Sequence, residues 1–129
     1  MRFTLFSLAI ASLATTAIAP SPAAPAPASS APEKRCGWLD NPTPANWWLI
    51  DRQGSWTLGE QGGYQAPGID NMPDMSTKGQ VLTNGNYGYS CACMTVTTDR
   101  AKKRITRLIS ATPMPLRTCR ADPKLKRPS

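Results

Sequence analysis

The sequence predicts a small all-β domain, an antiparallel sheet of about five strands built from hairpins, with one long Gly/Pro loop and two disulfide staples. Three observations point there. Runs of β-formers recur between residues 46 and 112, separated by Gly, Asn and Pro. The chain of 129 residues holds four cysteines. Two of these lie in one uninterrupted stretch of β-formers, Tyr87-Gly-Tyr-Ser-Cys-Ala-Cys-Met-Thr-Val-Thr-Thr98.

That stretch is the organising strand. Alternate side chains on a strand share a face, so Cys91 and Cys93 point the same way. Their Cα atoms would stand about 6.5 Å apart with nearly parallel Cα–Cβ bonds, which excludes a bond between them. Each must take an outside partner, and only Cys36 and Cys119 remain. The register of the hairpin that follows favours Cys91–Cys119 with Cys36–Cys93. The alternative is Cys36–Cys91 with Cys93–Cys119.

The chain begins with a targeting signature. Arg2 precedes an apolar run from Phe3 to Leu13, and Ala17-Ile-Ala19 fits a small-x-small cleavage site. A signal peptide over residues 1–19 is expected, with Ala28 as an alternative cleavage point. Residues 20–35 read as a Pro/Ala-rich disordered linker. The charged Glu33-Lys-Arg35 before Cys36 argues against a lipid anchor. These features predict an exported protein, periplasmic or secreted, with no membrane span once the signal is removed. In such a compartment the four cysteines read as paired.

The domain is expected over residues 36–122. Residues 36–44 hold two prolines and read as a turn-rich start. Asn46–Asp51 and Ser55–Leu58 form a hairpin about Gln53-Gly54. Residues 59–78 carry the long loop. Gln80–Thr83 leads through Asn84-Gly85, a type I′ hairpin signal, into the organising strand. Asp99–Lys103 is a polar turn, and Arg104–Thr112 returns as the last strand. Pro113 and Pro115 end it, Cys119 ties the chain back, and a basic disordered tail is expected over residues 123–129.

Composition excludes several chemistries. The chain has no histidine, which removes Ser-His-Asp and Cys-His catalysis and every His-containing metal site. Cys91-x-Cys93 lacks the bend that a redox pair needs. Met72, Met75, Met94 and Met114 could offer thioethers to Cu(I) but suit core packing better. No metal and no cofactor is expected.

The candidate binding residues are aromatic and basic. Trp38, Trp47, Trp48, Trp56 and Tyr64 supply flat apolar faces. Arg100, Lys102, Lys103, Arg104 and Arg107 form the basic turn. Charge is segregated. Residues 36–98 carry two cations against five carboxylates, whereas residues 99–129 carry ten against two. Such a segment attracts anionic envelope polymers or an acidic protein. Export makes nucleic acid a poor candidate.

Several stretches resemble one family of short exported bacterial proteins, the domain of unknown function 4087. They are Cys36-Gly-Trp-Leu-Asp-Asn-Pro-Thr-Pro-Ala-Asn-Trp-Trp48, Gln61-Gly-Gly-Tyr-Gln65, Tyr87-Gly-Tyr89, Cys91-Ala-Cys-Met94, Ala111-Thr-Pro-Met-Pro-Leu116 and Cys119-Arg-Ala-Asp122. The resemblance implies one exported domain with four paired cysteines and names no catalytic residue. The expected function is a non-catalytic binding module for an anionic glycan or protein partner. The alternatives are a small hydrolase using two of Asp40, Asp51, Glu60, Asp70 and Asp74, or a purely structural or inhibitory protein.

Overall fold

The computed structural model describes residues 17–23 and 31–129. The signal-peptide reading falls largely on residues 1–16, outside the described residues. Residues 17–23 are exposed and carry no regular structure.

The described chain folds into six strands, one short 3₁₀ turn and one helix. They are β1 (Glu33–Asn41), β2 (Trp47–Asp51), β3 (Gly54–Gly59), β4 (Val81–Asn84), β5 (Tyr87–Asp99) and β6 (Arg104–Met114). The 3₁₀ turn covers Ile69–Asn71, and helix α1 covers Leu116–Arg120.

The β-rich reading holds, and one strand was missed. Residues 33–41 form β1, not a linker end and a turn-rich start. Its sequence is poor in β-formers, but β5 offers a nine-residue edge running from Gly88 to Val96. Gly37 permits a close crossing, since a Cβ there would collide with the carbonyl of Ile50. The two prolines fall after the strand, at positions 42 and 44.

The sheet also closes. β1 pairs with β2 and β5, β2 with β3, and β5 with β6, all antiparallel. β3 meets β6 in parallel, through the single pair Thr57–Arg104. The ring β1-β2-β3-β6-β5-β1 is a partly open five-stranded Greek-key barrel with the connectivity of the OB arrangement. β4 extends it by pairing with β5 beyond the end of β6.

The long loop completes that ring. Beyond the Thr57–Arg104 pair, β3 and β6 diverge, and residues 64–68 fill the seam. The Ala66 amide donates to the Leu58 carbonyl on β3 (2.7 Å), and the Leu108 amide on β6 donates to the Pro67 carbonyl (2.8 Å). The Tyr64 hydroxyl donates to the Ile105 carbonyl (2.7 Å). Gly68 lies against β6 at φ 92°, where a side chain would strike the Leu108 carbonyl.

Pleat alternation sorts the side chains into two clusters. Leu39, Leu49, Trp56, Leu58, Met94, Val96 and Ile105 fill the barrel. Trp38, Tyr89, Cys91 and Cys119 form a second cluster outside it, covered by Leu116 and Leu125. The tail expected to be disordered therefore contributes a packed residue, and Pro128 is also buried.

Both disulfides lie on the outer wall. Cys36 faces Cys93 across β1 and β5 and bonds to it, and Cys91 bonds to Cys119 of α1. This is the pairing that hairpin register favours. The β4–β5 turn differs from expectation. Its two loop residues are Gly85 and Asn86, and only Gly85 has positive φ (57°). That is the φ pattern of a II′ turn, not I′. Among the described residues no helix is long and apolar enough to cross a membrane. The two disulfides fit a periplasmic or extracellular protein.

The seam gives a direct test. Gly68→Ala adds both left-handed strain and a backbone collision, and should cost about 2–3 kcal/mol. Thermal unfolding should show a drop of at least about 8 °C, since about 1 kcal/mol shifts a domain of this size by some 4–8 °C. An unchanged melting temperature would mean that residues 64–68 do not seal the barrel.

Candidate functional site

Strand register places the molecule's polar features at its two ends. One pole gathers the start of β1, the β2–β3 turn and the β5–β6 turn, because Glu33 pairs with Val96, Asp51 with Gly54, and Asp99 with Arg104. The other gathers the β1–β2 loop, residues 59–80 and the β4–β5 turn.

At the first pole a guanidinium sits inside the barrel mouth. Arg35 is 6% exposed. Its Nη1 donates to Asp51 (2.5 Å) and Gln53 (3.1 Å), and its Nε to Glu33 (3.1 Å). Its Cζ lies 3.8 Å from the centre of the Trp56 ring, whose Nε1 donates to Asp51 (3.0 Å). A buried cation is tolerated only when its donors are met in this way. Burial pushes the Glu33 carboxyl up, but hydrogen bonds from Thr98 and Arg35 and the charges of Arg35 and Arg100 hold it below the ordinary 4.5.

This network uses part of the basic turn. Arg100 pairs with Glu33 (3.1 Å). Lys103 donates to the Gln53 carbonyl (3.0 Å) and lies 4.4 Å from the Trp56 ring centre. Arg104 lies over Tyr64 (4.3 Å) at the seam. Lys102 and Arg107 are exposed.

The C-terminal tail brings further cations to the same pole, where sequence reading placed none. Arg52 in the β2–β3 turn donates to Asp122 (2.6 Å) and draws the tail alongside. Lys124, Lys126 and Arg127 then line a groove of about 460 Å³ with Ile50, Gln53 and Ser55. Lys103 reaches the same turn through Gln53, so both ends of the basic segment meet there. The net charge of residues 99–129 was the only sequence signal for this.

The aromatic candidates divide. Trp38 and Trp56 are 2% and 0% exposed, so neither offers a face to a partner. Trp38 is held edge-on to Tyr89, and Trp56 by the guanidinium of Arg35. Tyr64 is spent in the seam. Trp47 and Trp48, neighbours on β2, point to opposite sides, and both are half-buried. Trp47 lines a cleft of about 430 Å³ at the second pole.

That cleft is braced by side chains. Asn41 Nδ2 donates to the carbonyls of Thr43 (2.9 Å) and Asn46 (2.6 Å). Asn46 Oδ1 accepts from the Gln61 amide (2.8 Å), and Gln65 Nε2 donates to the Ala45 carbonyl (2.9 Å). Ala45, in the cleft wall, is held at φ 61°.

The candidate carboxylates are distributed between the two poles. Asp51 is committed to Arg35, and Asp40 lies on β1 outside the cleft, with its carboxyl raised by burial. Asp70 and Asp74 share the Trp47 cleft. The Ser76 hydroxyl and amide, which donate to Asp74, hold its carboxyl below the usual range. Among the described residues no three His, Cys, Asp or Glu side chains converge as a metal site.

Two outcomes follow from the barrel mouth. Because the folded Glu33 carboxyl lies below its unfolded value, its contribution is present above about pH 4.5 and is lost as pH falls through the folded pKa. Melting temperature should therefore decline in acid, and Glu33→Gln should flatten that decline. Arg35→Ala strands the Asp51 charge and should cost about 3–5 kcal/mol in urea unfolding.

No curated protein and no solved structure matches the chain. A family model described as Protein of unknown function (DUF4087) matches residues 30–126, which include the whole barrel, both disulfides and the braced cleft. The chain belongs to the DUF4087 family.

Proposed function

We propose that the protein is a non-catalytic binding module, delivered outside the cytoplasm by its N-terminal leader, that holds an anionic polymer at its basic pole. One observation carries the reading. Lys103 and the tail cations Lys124, Lys126 and Arg127 approach a single turn, Arg52-Gln53, from separate parts of the chain. Repeated cations on one surface suit a polymer of repeated negative charge, whose attraction sums over sites. The groove also has an apolar edge at Ile50. Fold alone assigns no activity, and OB-type barrels host many.

The test is binding to heparin, as a soluble sulfated polymer, against neutral dextran. Affinity should fall steeply with salt, because exposed charges are screened over about 8–10 Å at physiological ionic strength. The variant Lys124→Ser/Lys126→Ser/Arg127→Ser should bind at least about tenfold more weakly, at about 1 kcal/mol per cation near an anionic surface. Its melting temperature should hardly change, since exposed charges contribute little to stability. Equal binding of dextran, or unchanged affinity in the variant, would refute the assignment.

A further inference from the structure

We propose that the cleft at the second pole binds a lysine- or arginine-bearing segment of a partner polypeptide, laid in extended form along Trp47. This site is separate from the basic pole and does not depend on the reading given for it.

Charge is the first argument. The chain carries a net charge of +7, yet the cleft is lined by Asp70 and Asp74 and by no lysine or arginine. Asp70 is exposed, and Asp74 is fixed by Ser76, which donates to its Oδ1 from both the amide (2.9 Å) and the hydroxyl (2.6 Å). Apart from Gln65, the remaining wall is apolar, chiefly Trp47, Ile69, Met72 and Met75. An aliphatic stem ending in a cation matches such a surface, with the stem on the ring and thioethers and the head on a carboxylate.

Shape is the second. A further cleft of about 280 Å³ is also lined by Trp47, Asp74 and Met75, so the two share a wall. Two compartments with Trp47, Asp74 and Met75 in common give an extended chain more to contact than a compact amine. The smaller one is also lined by Ser76, Gln80 and Asn86, whose polar groups can meet a peptide backbone.

The larger compartment offers a neutral sugar few free neutral polar groups. A sugar ring needs several free donors and acceptors about its hydroxyls. Gln65 Nε2 already donates to the carbonyls of Ala45 and Glu60. The wall is also preformed: the Asn41, Asn46 and Gln65 hydrogen bonds fix the β1–β2 loop before any ligand arrives, which lowers the ordering cost of binding.

The experiment uses the intact protein and a fluorescein-labelled octapeptide of alternating lysine and alanine. The matching glutamate peptide and unlabelled chitohexaose, a neutral oligosaccharide, are the comparisons. The lysine peptide should saturate and the glutamate peptide should not. Asp70→Asn/Asp74→Asn should weaken the lysine peptide at least about tenfold, with melting temperature and heparin affinity unchanged. Four results would overturn the proposal: no saturation by the lysine peptide, equal binding by the double variant, chitohexaose displacing the peptide as the tighter ligand, or self-association lost on removing Lys124, Lys126 and Arg127. The last would assign the cleft to a second copy of the chain.

Discussion

The barrel depends on one strand being paired along both edges while its pleat keeps two environments apart. β5 meets β1 on one side and β6, then β4, on the other. Its side chains must alternate between inside and outside, because neither edge is free to slip. Ala92, Met94, Val96 and Thr98 enter the barrel, and Tyr89, Cys91 and Cys93 stay out. The same alternation puts both disulfides on the outer wall. They tie β1 and the C-terminal helix onto a sheet whose interior is already filled by Trp56, leucines and methionine. The bridges close sequence separations of 57 and 28 residues, and each removes about 3–4 kcal/mol of unfolded-chain entropy in the chain-entropy model.

Much of this was legible from residue types. An unbroken run of β-formers identified β5, and alternation along it the impossibility of a Cys91–Cys93 bond. Gly and Asn punctuation found the turns to within a residue or two. β1 was not legible, because its strand character comes from the edges that β2 and β5 offer rather than from its own residues. Its glycine looked like a turn and proved to be a close crossing. Closure of the ring was equally hidden. A loop rich in Gly and Pro gives no sign that Ala66 and Pro67 will bond to two different strands.

The candidate surface was legible in charge but not in place. Counting cations located a basic segment without revealing that Arg100, Lys103 and Arg104 are drawn into contacts with Glu33, Trp56 and Tyr64. Further cations come from the tail, drawn in by the Arg52–Asp122 pair and by the packing of Leu125. Trp56 shows the same limit. Its type and position suit an exposed platform or a core filler equally well. The buried Arg35 beside it decides for the core, and that contact spans 21 residues of sequence. Two of the stretches that carry the family resemblance, Asn41–Trp48 and Gln61–Gln65, meet in the bracing of the Trp47 cleft, although nothing in their order along the chain announces it.

The register of β1 also fixes how the molecule can be presented. The chain enters the barrel at Glu33, at the basic pole, and the tail returns to the same end. β1 then runs nine residues, about 30 Å along the strand, toward the braced cleft. The start of β1, the basic turn and the C-terminal tail are thus on one side, and the carboxylate-lined cleft is on the other. A contact made through the cations of one pole leaves the Trp47 cleft on the far side of the barrel.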